Sequence, residues 1–161
     1  MKRQIAYMLV LFLFLLQGCT ERPYVRQDAA LIVLKTPSFR YADMGFVYEN
    51  SDEVKVEIYG SGQALISLRI GKEKVCMSRL ECMDKAQFNR RVLSRFYPDD
   101  ILEHIFRAEA LFDGLNLRKN RNGFTQKIIK SDKYHIEYSV LNKQIIFRDT
   151  INHIIIKVKR T

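Results

Sequence analysis

The sequence predicts an α+β fold: one antiparallel sheet with two or three helices laid over one of its faces. Three observations predict it. Apolar and polar residues alternate at period two on both sides of the chain's middle, the middle switches to helical spacing, and consecutive strand segments are joined by short turn signals. The chain has 161 residues, 47% of them hydrophobic. That is enough for one domain with a substantial core.

The chain opens on Met1-Lys2-Arg3-Gln4 and an apolar run from Ile5 to Leu16. A basic cap before about a dozen apolar residues reads as a secretory signal, and the run is shorter than the roughly 20 residues a membrane span needs. Its end, Leu16-Gln17-Gly18-Cys19, resembles the bacterial lipobox. On that resemblance residues 1–18 are removed and Cys19 becomes the acylated first residue of the mature chain. The rivals are a short buried helix with an incidental cysteine and an uncleaved anchor. Several acyl chains on one residue, at about 0.8 kcal/mol per buried methylene, anchor stably. Thr20 follows where Asp would mark inner-membrane retention, which points to the periplasmic face of the outer membrane. Residues 19–30, polar with one Pro, read as a lipidated tether, and 31–161 as a single domain.

Leu31 to Lys35 is an apolar run and Phe39 to Tyr48 mixes aromatics with Asp43 and Gly45. Val54 to Tyr59 and Ala64 to Ile70 alternate as two strands of a hairpin around Gly60-Ser61-Gly62-Gln63, and Gly71 to Lys74 turns into a third strand at Val75. Phe88, Val92, Leu93 and Phe96 then fall on one helical face of the segment from Asp84. Pro98 interrupts it. Asp99 or Asp100 opens a second helix carrying Ile101, Leu102, Ile105 and Phe106, which Ala108 to Phe112 would extend as far as Asp113-Gly114. Strands return at Phe124 to Lys130, Tyr134 to Val140, Gln144 to Arg148 and His153 to Lys159, with Asn142-Lys143 as one turn.

Cys76 and Cys82 flank a turn-sized stretch, and in an oxidising compartment they read as a disulfide across a hairpin end. A metal pair is the rival, but His104, His135 and His153 lie far away in sequence and give no ligand spacing. No redox CxxC is present. Removing Lys2 and Arg3 leaves 25 basic residues against 18 acidic, a net +7. For an exported protein this charge suits anionic lipid or lipopolysaccharide phosphate rather than nucleic acid, or simply a soluble surface.

No catalytic constellation emerges, and neither an enzyme nor a cofactor is expected. Gly60-Ser61-Gly62 is a turn with no helix after it, so it is not a phosphate loop. His104 and Glu103 are helix neighbours that point apart. Ser61, Ser67 and Ser139 have no nucleophile-elbow context.

The element order resembles the LolB family of outer-membrane lipoprotein receptors. The likeness runs from Phe39 to Lys159 and rests on the hairpin Val54 to Ile70, the strand at Val75-Cys76, and the helix from Asp84. It continues through Tyr97-Pro98-Asp99-Asp100-Ile101 and the closing run Gly123 to Tyr138 with Ile145-Ile146-Phe147. The resemblance implies a curved antiparallel sheet, an open half-barrel, with two or three helices covering its concave face. It implies an acyl-chain cavity lined by Ile66, Leu68, Val92, Phe96, Ile105, Tyr138 and Phe147, with acylated lipoproteins and a periplasmic carrier as partners. Where the family carries an exposed leucine for transfer to the membrane, this chain has Gly60 to Gln63 flanked by Tyr59 and Leu65. Two other functions stay open. A filled core with a basic stripe of Arg90, Arg91, Arg95, Arg118, Lys119 and Arg121 would mark a lipopolysaccharide-assembly or other outer-membrane-complex lipoprotein. A filled core without one would mark a structural lipoprotein.

Overall fold

A computed structural model describes residues 23–78 and 81–161; the expected signal, 1–18, and Cys19 lie outside the described residues. The alternating segments form β1 (Arg26–Lys35), β2 (Arg40–Glu49), β3 (Glu53–Gly60), β4 (Gln63–Gly71), β5 (Lys74–Met77) and β6 (Glu81–Asp84). Next come α1 (Lys85–Val92), α2 (Ile101–Arg107) and a 3-10 turn, Phe112–Gly114. The chain closes with β7 (Leu117–Asn120), β8 (Gly123–Lys130), β9 (Tyr134–Leu141), β10 (Gln144–Asp149) and β11 (Ile154–Arg160). β1 begins inside the stretch read as a tether.

All eleven strands belong to one antiparallel sheet, ordered β6-β5-β4-β3-β2-β1-β11-β10-β9-β8-β7. The chain therefore runs from the sheet's centre to one edge, crosses through the helices, and returns from the far edge to the centre. There β11 pairs with β1, from Ala30 opposite Arg160 to Lys35 opposite Ile155.

This corrects the expected fold class. The described residues form a single large sheet with two short helices, of eight and seven residues, not an open half-barrel covered by two or three. The helical segments end early for local reasons. Asp84 caps α1 by accepting the Gln87 N–H at 2.6 Å, but Leu93 leaves helical space (φ −114°, ψ −104°), so Phe96 is not reached. α2 stops because Ala108 takes the left-handed conformation (φ 61°, ψ 37°), so 108–112 do not prolong it. Leu117–Asn120, too charged and short to read as a strand, adds an edge strand against β8.

Each long strand buries alternate residues. Ile32 and Leu34 of β1, Val54 and Val56 of β3, Leu68 of β4, Ile136 of β9, Phe147 of β10 and Ile156 of β11 join Phe88, Ile101, Ile105 and Phe106 in one contiguous core. We call this side of the sheet the inner face. α2 packs against both β3 and β10, binding the two halves of the sheet to one element. Two local devices hold the register. A Cβ on Gly45 would stand 2.0 Å from the Glu57 carbonyl oxygen, so only glycine lets β2 and β3 approach there. Ser61 and Gly62, both at positive φ (52° and 79°), form the two-residue turn whose twist matches a hairpin.

Two carboxylates, one buried and one half-buried, are well paired. Asp149, 1% exposed, accepts from the Tyr97 hydroxyl, from Asn152 Nδ2 at 2.6 Å and from the backbone N–H groups of Ile151 at 2.9 Å and His135 at 3.1 Å. Burial alone would raise its pKa, but these donors hold the carboxyl below its ordinary value. Glu103 likewise bridges Lys85 at 2.7 Å and Arg107 at 3.0 Å. The expected disulfide is present, joining Cys76 and Cys82 as cross-strand partners of β5 and β6.

Candidate functional site

Six of the seven residues expected to line an acyl cavity, Ile66, Leu68, Val92, Ile105, Tyr138 and Phe147, are buried members of the common core. Phe96 is half-buried at its rim, with the Arg95 guanidinium 4.8 Å and the Lys133 ammonium 5.2 Å from its ring. The Tyr138 hydroxyl is buried without a hydrogen-bond partner among the described residues, and burial pushes its pKa up, so it stays neutral.

Tyr59 and Leu65 sit together at the β3–β4 hairpin. The pairing shifts from Ile58 opposite Ile66 to Tyr59 opposite Ala64, which leaves Leu65 as the extra residue of a β-bulge. Leu65 is 55% exposed and its Cδ1 lies over Gly60, where an added Cβ would meet it at 2.5 Å. Tyr59 faces the outside of the sheet, donating to Glu57 Oε2 at 3.0 Å and meeting Phe46 edge-on at 5.9 Å between ring centroids. Beside it the Lys55 ammonium stands 4.8 Å from the Tyr48 ring. Partial burial, then the Glu57 carboxylate, push the Tyr48 hydroxyl up to about 12.

The outer face from β7 to β2 carries the strongest chemistry. Residues paired across antiparallel strands share a face. One row therefore runs Arg118, Thr125, Ser139, Ile146, Lys157, Val33. The adjacent row runs Lys127, Glu137, Arg148, Ile155, Lys35, Arg40, and Lys159 continues a third beside Leu31 and Met44. Seven of these outward positions are basic and only Glu137 is acidic. Exposed apolar side chains interleave with the cations: Leu31 at 44%, Met44 at 45% and, at the β8 end, Ile129 at 58%.

At the β7 end this face sinks into a trough of about 820 Å³. Arg118, Lys127 and Arg148 supply cations to its lining, Thr125 and Ser139 hydroxyls, Asn116 an amide, and Leu117, Ile129 and Ile146 apolar surface. Lys127 Nζ lies 3.8 Å from Glu137 Oε1, whereas Arg118 and Arg148 have no ion-pair partner among the described residues.

Of the residues expected to form a basic stripe, Arg90, Arg91 and Arg95 lie exposed on and just after α1, and Arg118, Lys119 and Arg121 around the β7–β8 hairpin. They form two groups, of which only Arg118 joins the outer rows. Lys35, Lys127, Arg148 and Lys157 were missed by spacing. Their signal was parity, since each occupies an outward position of its strand, but lining them up requires the register. His104 lies 3.6 Å from Asp100 and 3.7 Å from Glu109, an exposed helix-end cluster. His135 packs beside the Asp149 turn. Among the described residues no three metal-ligating side chains converge. Comparison with protein-family models and with curated proteins finds no match to this chain.

Proposed function

We propose that the chain is a lipid-anchored envelope protein of the outer membrane that works by binding lipid, without catalysis, and that its outer sheet face engages phosphate-bearing headgroups. The observation that carries this is the alignment of seven basic residues against one acidic on the outer face of β7–β11, β1 and β2. Each Lys or Arg near an anionic surface contributes about 1 kcal/mol, screened over a Debye length of about 8 Å at physiological salt. An anchor on Cys19, seven residues before β1, would hold the body within roughly 25 Å of the bilayer, close enough for such a face to settle on it. The test is lysine acetylation of the full chain anchored in phosphatidylcholine vesicles with and without phosphatidylglycerol. Labelling of Lys35, Lys127 and Lys157 should fall several-fold with the anionic lipid and recover at high salt; unchanged labelling would sink the reading.

A second reading, reception of acyl chains from a carried lipoprotein, is favoured by Leu65. The bulge turns an apolar side chain outward at a hairpin tip, a place suited to handing acyl chains on. Because the expected lining residues are buried together, this activity requires the core to open. Transfer of an acylated lipoprotein from a soluble carrier, lost in Leu65→Glu while the protein remains folded, would support it; transfer unaffected by that change would not.

A further inference from the structure

The basic face is not uniform. Its β7 end is hollowed, and there the charges are arranged in a particular way. Arg118 stands on β7 and Arg148 on β10. Three inter-strand steps of about 4.8 Å and a two-residue offset of about 6.6 Å along the strand place these two guanidinium-bearing residues, neither with an ion-pair partner among the described residues, roughly 16 Å apart at the backbone. Thr125 and Ser139 continue Arg118's row with their hydroxyls, and in the next row the Glu137 carboxylate stands between Arg148 and Lys127, with Lys127 at 3.8 Å. Lys127, the cross-strand partner of Glu137 and 3.8 Å from its carboxylate, offsets the negative charge beside Arg148, so both guanidinium groups remain favourable positions for an anion. Guanidinium groups pair with phosphate in bidentate fashion, which fixes position as well as charge. The lining between them offers the Thr125 and Ser139 hydroxyls, with Ile146 beside Ser139 as apolar surface. Such a lining suits a neutral, hydroxyl-rich unit with one apolar side. The volume, about 820 Å³, is that of a site for a ligand of disaccharide size or more.

We infer that this trough is a site for a saccharide headgroup bearing two phosphates, one at Arg118 and one at Arg148. This rests on the reading that the outer face engages phosphate-bearing lipid, and it narrows that reading from any anionic surface to one headgroup class.

The experiment uses the full chain in neutral detergent, titrated by calorimetry with a deacylated bisphosphorylated disaccharide, its monophosphorylated form and the unphosphorylated sugar. The bisphosphate should bind about tenfold more tightly than the monophosphate. Arg118→Gln and Arg148→Gln should each cut bisphosphate affinity about tenfold and erase that preference. Arg90→Gln, exposed on α1 and outside the basic rows of this face, should leave the titration unchanged. Both arginines are exposed, so the variants should keep the parent circular dichroism. Equal affinity for the two phosphorylated forms, or a preference that survives both arginine variants, would overturn the inference. If the lysines are protected by phosphatidylglycerol but no saccharide preference is found, the trough fails and the broader reading stands. If no phosphorylated probe binds and labelling is unchanged as well, the broader reading fails with it.

Discussion

Arg160 and Glu49, 111 residues apart in sequence, are joined by a 2.6 Å hydrogen bond from Nη2 to Oε1 at one end of the core. The same nitrogen donates to the Phe106 carbonyl at 2.7 Å, near the end of α2, and Nε lies 3.5 Å from Asp28 Oδ2. The last residue of the last strand thus ties β1, β2 and α2 together where the sheet's two halves meet. Removing one partner of a buried ion pair leaves the other uncompensated, which costs about 3–5 kcal/mol. Arg160→Ala should therefore lower unfolding stability by about that amount in urea titration. Arg160→Lys should restore only part of it, because an ammonium cannot reproduce the planar fork that serves Glu49 and Phe106 together. A loss under 1 kcal/mol in Arg160→Ala would show that the network contributes little.

Asp149 and Glu103 predict how stability varies with pH. Both carboxyls are held below their ordinary values in the fold, Asp149 against its burial by Tyr97, Asn152 and backbone donors, Glu103 against its burial by Lys85 and Arg107. A depressed native pKa means that the unfolded chain binds protons more readily. Their contribution is then complete above the unfolded carboxylate range, about pH 4–4.5, and is lost as pH falls through the native values. Asp149→Asn should be less stable at pH 7 by about 2 kcal/mol, since the turn loses a charged acceptor of five donor groups. Its stability should also decline less steeply below pH 4 than the parent's. Parallel stability curves for parent and variant between pH 2 and 5 would contradict this.

Leu68 and Phe147 test whether the inner face is core or cavity. Both are fully buried in the common cluster, and Phe147 packs edge-on against Tyr97 at 5.9 Å between ring centroids. Core truncations of this kind cost about 2–5 kcal/mol for Leu→Ala and 3–5 for Phe→Ala. Leu68→Ala and Phe147→Ala should lower stability by those amounts in urea melts. Changes under 1 kcal/mol would instead indicate walls of an open space.

Much of the strand pattern was legible because alternation is local. Val54 to Ile70 read as a hairpin, Asn142-Lys143 as a turn and Cys76–Cys82 as the cross-link of a separate hairpin end, each decided by residues within a few positions of one another. The helices were overread for the opposite reason. Phe96 and Ala108 to Phe112 continue the apolar pattern, but the backbone of Leu93 and the left-handed Ala108 end the helices, and no residue type at either place announces it. The outer basic rows were hidden differently: Arg118 and Arg148 come onto one face only through three strand pairings, and no spacing along the chain encodes that register.

The disulfide's contribution should be local. Cys76 and Cys82 enclose a loop whose sequence separation is only six, so chain-entropy reasoning assigns it roughly 2 kcal/mol. It clamps β5 to β6, the four-residue strand at the sheet edge, and α1 follows β6 directly. Such edge strands open at low free energy. In Cys76→Ser/Cys82→Ser, amide exchange should quicken by about tenfold or more in β5, β6 and the first turn of α1. Exchange in β1, β10 and β11 should change far less. A uniform acceleration through all eleven strands would mean that the edge unfolds only together with the core, and that the cross-link stabilises the whole sheet.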